Sequence, residues 1–385
     1  MIKLPFIDHS REKFLILEVY PGVTRGLLIS TDQEKKIKLE KVWSNFSWSN
    51  LSRHFRQKIT KWNVIVAASP VLAVTTIIPI RLEREKNLHP SPILAGELEN
   101  LLAQATAKIF NQCRAFASRS LGIDELDTIL IDNRVIGFKI DNHQVVNPID
   151  FKAKHLDAIF ELTLTTRSIF DDWKNFFNIG ETRNFFFTEL SRAEISVLEK
   201  ITPTPFGLVV MEKDGTTAFH VDRSSKNSIV KRHKINWLAE KMVSLISEAW
   251  GIEEPVAREI YLNYLKKEVS PQVFRYLNRL INPILESLYK ELKRVNLKGQ
   301  VFIDAHLPLP TVFPKRLGGL VIADLPILSI LDKHGFKADF RDWPIPAHEV
   351  SRRLAPFFEF YYNNDKESGV NHWLRRRLHW LGSSS

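Results

Sequence analysis

The stretch richest in residues that could do chemistry is Val370–Gly382, VNHWLRRRLHWLG. Wound as a helix, it puts Val370, Trp373, Leu374, Leu378 and Leu381 on one face, with Trp380 at the border. Arg375, Arg376 and His379 lie opposite, Arg377 sits near the seam, and no acidic residue intervenes. Indoles and aliphatics on one side with guanidiniums on the other suit a helix lying in the headgroup region of an anionic membrane. Each arginine near such a surface contributes about 1 kcal/mol, and tryptophan favours the headgroup boundary. The same pattern fits a helix folded back onto a core or seated in a protein groove.

Two tight turns carry the other candidates. Phe14–Ile29, FLILEVYPGVTRGLLI, is an apolar run broken at Tyr20-Pro21-Gly22 and resumed after Arg25. Gly207–Val221, GLVVMEKDGTTAFHV, has the turn chemistry Lys213-Asp214-Gly215 between apolar Leu208–Met211 and strand-prone Thr216–Val221. Both read as strand–turn–strand. Their recurrence half a chain apart predicts a duplicated, two-lobed protein with a cleft between the turns. Gly215-Thr216-Thr217 also fits an ordinary hairpin.

Other chemistries find little support. His306, His348, His372 and His379 have no partner at ligand spacing, and there is no cysteine pair and no H-E-x-x-H, so no metal site is expected. No G-x-S-x-G or Walker loop is present. Trp43, Phe46 and Trp48 form an aromatic cluster expected to pack on the first lobe. Arg81, Arg84 and Lys86, beside His89, read as a solvated face.

The elements that position these residues follow from periodicity. Strands are expected at Lys13–Val19, Gly26–Ser30, Lys35–Val42, Asn63–Ala68 and Val71–Ile80, with a helix over Trp48–Thr60. Ser91–Leu121 is the clearest helix, capped by Ser91 with Pro92 in its first turn. Leu94, Leu98, Leu101, Leu102, Ala105, Ile109 and Cys113 share its stripe, which makes Cys113 a core residue. Strands at Thr128–Asp132, Val135–Ile140 and Leu156–Thr165 follow, with a turn at Asp141-Asn142. Thr166–Phe177 and Ser191–Glu199 read as helices around a strand at Asn184–Glu189, and Thr202–Pro205 as a hinge. Beyond the second hairpin, helices are expected at Asn236–Trp250, Glu254–Lys266, Pro271–Val295 and Val350–Tyr362. Strands are expected at Val301–Ile303 and Leu320–Ala323.

At 385 residues the chain is long enough for two to four subdomains. Its 44% hydrophobic and 25% charged residues are those of a globular protein. The single cysteine excludes an internal disulfide framework and suits a reducing cytoplasm. No run of uncharged apolar residues is long enough to span a bilayer, and the N-terminus does not read as a signal peptide. Net charge is +10 and the pI about 9.5, which admits nucleic acid, an anionic membrane or an acidic partner. The tryptophan-interleaved basic cluster at the C-terminus points to the membrane rather than to nucleic acid.

This order of elements resembles the actin-like ATPase superfamily, a two-lobed, ribonuclease H-like α/β fold, and more narrowly the bacterial cell-division protein family FtsA. The most specific match is Ile136-Gly137-Phe138-Lys139-Ile140-Asp141 followed by Val145–Leu156, VVNPIDFKAKHL. It is similar to the N-G-Y … V-x-N-P-I-G-x-K-G-x-x-L passage of that family's inserted α+β subdomain. The resemblance implies a first lobe of 1–78 with 166–205, an insert of 79–165 and a second lobe of 206–362. The second lobe's smaller subdomain, about 251–300, is reduced. A linker, 363–369, and an amphipathic membrane-targeting tail, 370–385, complete the chain.

The resemblance also implies where a nucleotide would bind. The family's first phosphate loop, D-I-G-[ST]-x-x-I-K, matches Glu18-Val19-Tyr20-Pro21-Gly22-Val23-Thr24-Arg25. The second, D-x-G-G-G-T-T-D, matches Met211-Glu212-Lys213-Asp214-Gly215-Thr216-Thr217-Ala218. The third, G-G-G-S, matches Ala305-His306-Leu307-Pro308. Tyr20 adds bulk where phosphate would sit, Pro21 removes a donor, and the second and third loops lose most of their glycines and acids. The expectation is a kept fold and a lost ATPase, with no cofactor. In the contrary reading, ATP and Mg²⁺ bind with Glu18 beside the metal. Arg25 and Lys213 then act as phosphate charges, and Gly22, Thr24, Gly215, Thr216, Thr217, Ala305 and His306 line the site.

The implied function is a pseudo-ATPase that sits on the inner face of the cytoplasmic membrane at the division site and tethers filaments of the tubulin-like FtsZ. Self-association is left open. Two alternatives are a pilus-assembly scaffold of the PilM type and an ATP-binding actin-like filament protein.

Overall fold

The structure is a computed structural model that describes residues 11–47, 58–59, 61–85, 91–177, 185–224, 227–310, 313–317, 319–339, 343–345 and 347–364. Described residues within 1–197 and 327–385 form one compact unit, and those within 198–326 a second.

The first unit opens with β1 (Glu12–Tyr20), β2 (Val23–Thr31) and β3 (Lys36–Trp43), an antiparallel meander. β4 (Asn63–Ala68) runs parallel to β1 on its other side. All of β4 and the middle of β1 are buried, as expected of apolar strands with neighbours on both edges. β5 (Ala73–Leu82) leads to α1 (Ala95–Leu121). Then come β6 (Thr128–Ile140), β7 (His143–Val145), β8 (Leu156–Thr166), α2 (Arg167–Phe177), β9 (Phe185–Glu189) and α3 (Leu190–Leu198). β9 extends the first sheet beside β4. β5, β8, β6 and β7 form a separate antiparallel sheet against which α1 packs Leu98, Leu102, Ile109 and Cys113. Cys113 is buried, and burial pushes its thiol up to about 11.

Four local expectations for this unit need correction. α1 begins at Ala95, and Ser91 does not cap it. Pro92 instead bridges Lys152, and Ile93 exchanges backbone hydrogen bonds with Asp150 and Phe151, which holds the segment extended. Leu94 therefore leaves the buried stripe and is 64% exposed. The two strands expected at 128–132 and 135–140 are one strand, because bulges near Leu130 and Val135 absorb the break. Arg84 is buried rather than solvated. Its Nε and Nη2 reach Glu97 at 2.6 and 3.0 Å, and its Nη1 donates to the Ala153 carbonyl at 2.8 Å. Arg81 is exposed beside Asp157. Asp141 and Asn142, both at positive φ, make the expected turn between β6 and β7. Trp43 and Phe46 meet edge to face at 5.5 Å. Trp48, Lys86, His89 and most of the helix expected at 48–60 lie outside the described residues.

The second unit repeats the plan. β10 (Phe206–Met211), β11 (Thr216–Ser224) and β12 (Asn227–Ile235) form a meander. α4 (Lys241–Trp250), α5 (Glu254–Leu265) and α6 (Pro271–Val295) follow, with no strand among the described residues from 251 to 299. β13 (Gln300–Ala305) is parallel to β10, and β15 (Leu320–Asp324), after the short β14 (Arg316–Leu317), is parallel to β13. The order β12-β11-β10-β13-β15 thus matches β3-β2-β1-β4-β9 in the first unit, which is the duplication read from the two hairpins. One face of this sheet packs Val209, Met211 and Ala218 against Met242, Ile246, Tyr261, Ile281 and Leu288. The first helix here begins at Lys241, not Asn236, because Trp237 and Ala239 enter the core from a turn. Strand β12 went unread in the sequence, where Lys231–Lys234 masks its alternation.

α7 (Ile327–Lys333), β16 (Lys337–Ala338) and α8 (Ala347–Asn364) close the described chain. They group with the first unit, not with the second lobe to which 206–362 was assigned. The reason is local: β16 pairs with β3, and Phe357 and Phe360 of α8 pack on Phe14 of β1.

Candidate functional site

The first loop lies at the C-terminal end of β1. Glu18 and Tyr20 follow Phe14 and Ile16 on one face of the strand, the face that α8 covers. Glu18 is 2% exposed and faces the Arg353 guanidinium, with Nε 3.6 Å from Oε2. Arg353 also donates to Glu349 at 3.0 Å. The guanidiniums of Arg25 and Arg352 each lie 5.3 Å from the centre of the Tyr20 ring. Gly22, at φ +71°, makes the turn, and Thr24 stands opposite Val19 on the half-buried start of β2. The loop position is thus taken by an aromatic ring and its arginines.

The second and third loops adjoin within the second unit. The β10–β11 turn is tight, closed by the Glu212 N–H donating to the Gly215 carbonyl at 2.8 Å, with Lys213 and Asp214 exposed at its tip. Thr216 and Thr217 are buried in the ladder between β10 and β12. Ala305 pairs with Met211, and the His306 N–H donates to the Met211 carbonyl at 2.8 Å. His306 is half-buried, with Nε2 3.9 Å from Glu240 Oε1, beyond hydrogen-bond range. Arg258 pairs with the other oxygen of that carboxylate.

These residues do not fit a nucleotide with its metal. Glu18, which would stand beside the metal, already faces a guanidinium, and a dication there would meet like charge at short range. Tyr20 and Pro21 close the backbone approach that the family's glycine leaves open. The second turn is a plain two-residue hairpin rather than a glycine cradle. The membrane-binding candidates Val370, Trp373, Leu374, Arg375, Arg376, Arg377, Leu378, Trp380 and Leu381 lie outside the described residues.

Sequence reasoning missed Arg352 and Arg353, whose partners Tyr20 and Glu18 lie more than 300 residues away, and Glu349, which pairs with Arg353 one turn along α8. It also missed a buried ionic cluster in the same unit. Arg134 of β6 meets Asp132 at 2.5 Å, Glu359 of α8 at 3.1 Å and Glu161 of β8 at 3.6 Å. Arg192 of α3 pairs with Glu161 at 2.5 Å, and the Thr188 hydroxyl donates to Glu359 at 2.6 Å. Burial opposes the charge on Arg134, but Asp132, Glu359 and Glu161 outweigh it and hold the guanidinium above its ordinary value. Burial pushes the Glu359 carboxyl up, against the pull of Arg134, Arg192 and the Thr188 hydroxyl. The available signal was charged residues inside otherwise buried strands.

No protein-family model and no curated protein sequence matches the chain. Solved structures do. A PilM–PilN type IV pilus biogenesis complex aligns at a TM-score of 0.51 and 10% identity, over 96% of this chain and 99% of that one. The cytoplasmic domain of EpsL, an inner-membrane component of the type II secretion system of Vibrio cholerae, aligns at a TM-score of 0.35 and 10% identity, over 84% and 94%. A Bacteroides thetaiotaomicron protein with an actin-like ATPase fold gives 0.36 and 9%, over 86% and 97%. The chain has the mixed α/β fold of the actin-like ATPases, a fold it shares with PilM. None of the described helices is long and apolar enough to cross a membrane.

Proposed function

We propose that this chain is an actin-fold scaffold without ATPase activity that links a membrane-bound assembly to its cytoplasmic side. One observation carries the reading: the first phosphate loop is filled by Tyr20 between Arg25 and Arg352, with Glu18 turned to Arg353. A fold built around nucleotide has its loop occupied by its own side chains, so what it offers partners is surface. In this reading the linker, 363–369, whose first two residues end α8, connects that helix to a tail, 370–385, that binds the inner face of the cytoplasmic membrane. The lobe and insert boundaries are those of the FtsA resemblance, except that α7, β16 and α8 belong to the first lobe.

Two finer readings stand on different observations. An FtsA-like tether of division filaments is supported by the Val145–Leu156 passage and the basic, tryptophan-rich tail, with an FtsZ-like filament protein and an anionic membrane as partners. A PilM-like pilus-assembly scaffold is supported by the alignment over nearly the full length of both chains. Co-sedimentation with vesicles containing anionic phospholipid, with and without purified FtsZ filaments, separates them. The division reading expects the chain to carry FtsZ to the vesicles and to lose the vesicles when 370–385 is removed. A full chain that stays off the vesicles and leaves FtsZ in the supernatant favours the pilus reading.

A further inference from the structure

We infer that Arg353 is a built-in counter-cation of the first loop, holding the carboxylates of Glu18 and Glu349 together where the fold family would place a metal–phosphate group. The inference rests on the scaffold reading and says what replaced the ligand. Its geometry is a strand and a helix lying side by side. At one end Phe14 meets Phe357 and Phe360, with ring centres 4.9 and 6.0 Å apart. Four residues along β1 and along α8, the contact turns ionic and Glu18 meets Arg353 at 3.6 Å. Two residues further along β1, Tyr20 is covered by Arg352.

Glu18 and Arg353 are 2% and 5% exposed, so neither charge is well served by water. Glu349, on the next turn of α8 toward its N-terminus, brings a second carboxylate to the same guanidinium. Two carboxylates converging on one cation is an arrangement that a divalent ion also satisfies. Here the cation is covalently part of helix α8. The loop is therefore tied to α8, and in this reading its conformation answers to that helix and not to nucleotide.

Thermal unfolding of the full chain at neutral pH, with chelator, then with millimolar Mg²⁺ or Ca²⁺ and no nucleotide, tests this. Wild type and Arg353→Lys are expected to unfold at similar temperatures, indifferent to either ion. Arg353→Met is expected to unfold about 5 °C lower or more and to recover part of that loss with either ion. Glu18→Gln combined with Arg353→Met is expected to recover without ions and to ignore them. Where Arg353→Met alone does not fold, Arg353→Lys and the double variant carry the test. An unchanged midpoint for Arg353→Met, a loss that neither ion relieves, or a double variant as unstable as the single one overturns the inference. ATP on the wild type bears only on the scaffold reading.

Discussion

Arg134 on β6 and Glu359 on α8 are 225 residues apart in sequence, yet their side chains meet at 3.1 Å in the buried interior of the first unit. The contact joins the four-stranded sheet to the last described helix. Asp132, Glu161, Arg192 and Thr188 complete the cluster, and the Phe186 ring lies 4.8 Å under the guanidinium. Removing one member strands a buried charge, whereas removing matched charges need not cost anything.

Glu359→Ala is therefore expected to cost about 3–5 kcal/mol, read as a lower urea midpoint with an unchanged slope. Glu359→Gln, which keeps a group to accept the Thr188 hydroxyl, is expected to cost less. A loss below about 1 kcal/mol for Glu359→Ala would mean that the cluster behaves as a surface pair.

Among the described glycines of the second unit, Gly299 leaves the least room for a side chain. Its φ is +72°, and a Cβ there would lie 2.0 Å from the Pro205 carbonyl oxygen. The left-handed backbone alone costs about 1–2 kcal/mol for an L residue, and the clash is with main chain that cannot swing away. Gly299→Ala is expected to lower the unfolding midpoint by several degrees, whereas Gly319→Ala, with open space around its Cβ, is expected to cost less. Equal midpoints for the two would contradict this.

His220 on β11 gives the second unit a pH dependence. Burial lowers its pKa, aided by Lys298, Lys231 and His233 and opposed by Asp222. A histidine depressed in the folded state leaves the unfolded chain binding more protons. The stability it supports is complete above its ordinary pKa of 6.5 and is lost as pH falls through the lower folded value. Unfolding followed from pH 8 to pH 5 (about those limits, spanning histidine titration) should show a slope that His220→Gln reduces. An unchanged slope in the variant would remove His220 from the account.

The fold was largely legible where local pattern decides structure. Leu208–Met211 and Thr216–Val221 announce their hairpin because Lys213-Asp214-Gly215 can only turn. The stripe from Leu98 to Cys113 announces α1 because burial on one face selects the helical period. The start of α1 was misread because Pro92 suits a helix's first turn as well as the bridge to Lys152 that it makes. At the site, Glu18, Tyr20 and Arg25 could be found from the strand–turn–strand pattern and the resemblance. Arg352, Arg353 and Glu359 could not, since they sit in an apolar helix and their partners are set by tertiary packing. A charge inside a buried stripe marks that a partner exists but does not name it.

In the scaffold reading, side chains of the protein, not nucleotide, fill the first loop. The decisive measurement is thermal unfolding of the wild-type chain with and without millimolar ATP and Mg²⁺. A ligand at 100 times its dissociation constant adds about 2.7 kcal/mol, which moves the midpoint of a chain this size by about 2 °C or more. No shift is expected. A shift of that size, lost on Gly215→Val, would rule out a side-chain-filled loop and make the protein a working nucleotide-binding member of its fold.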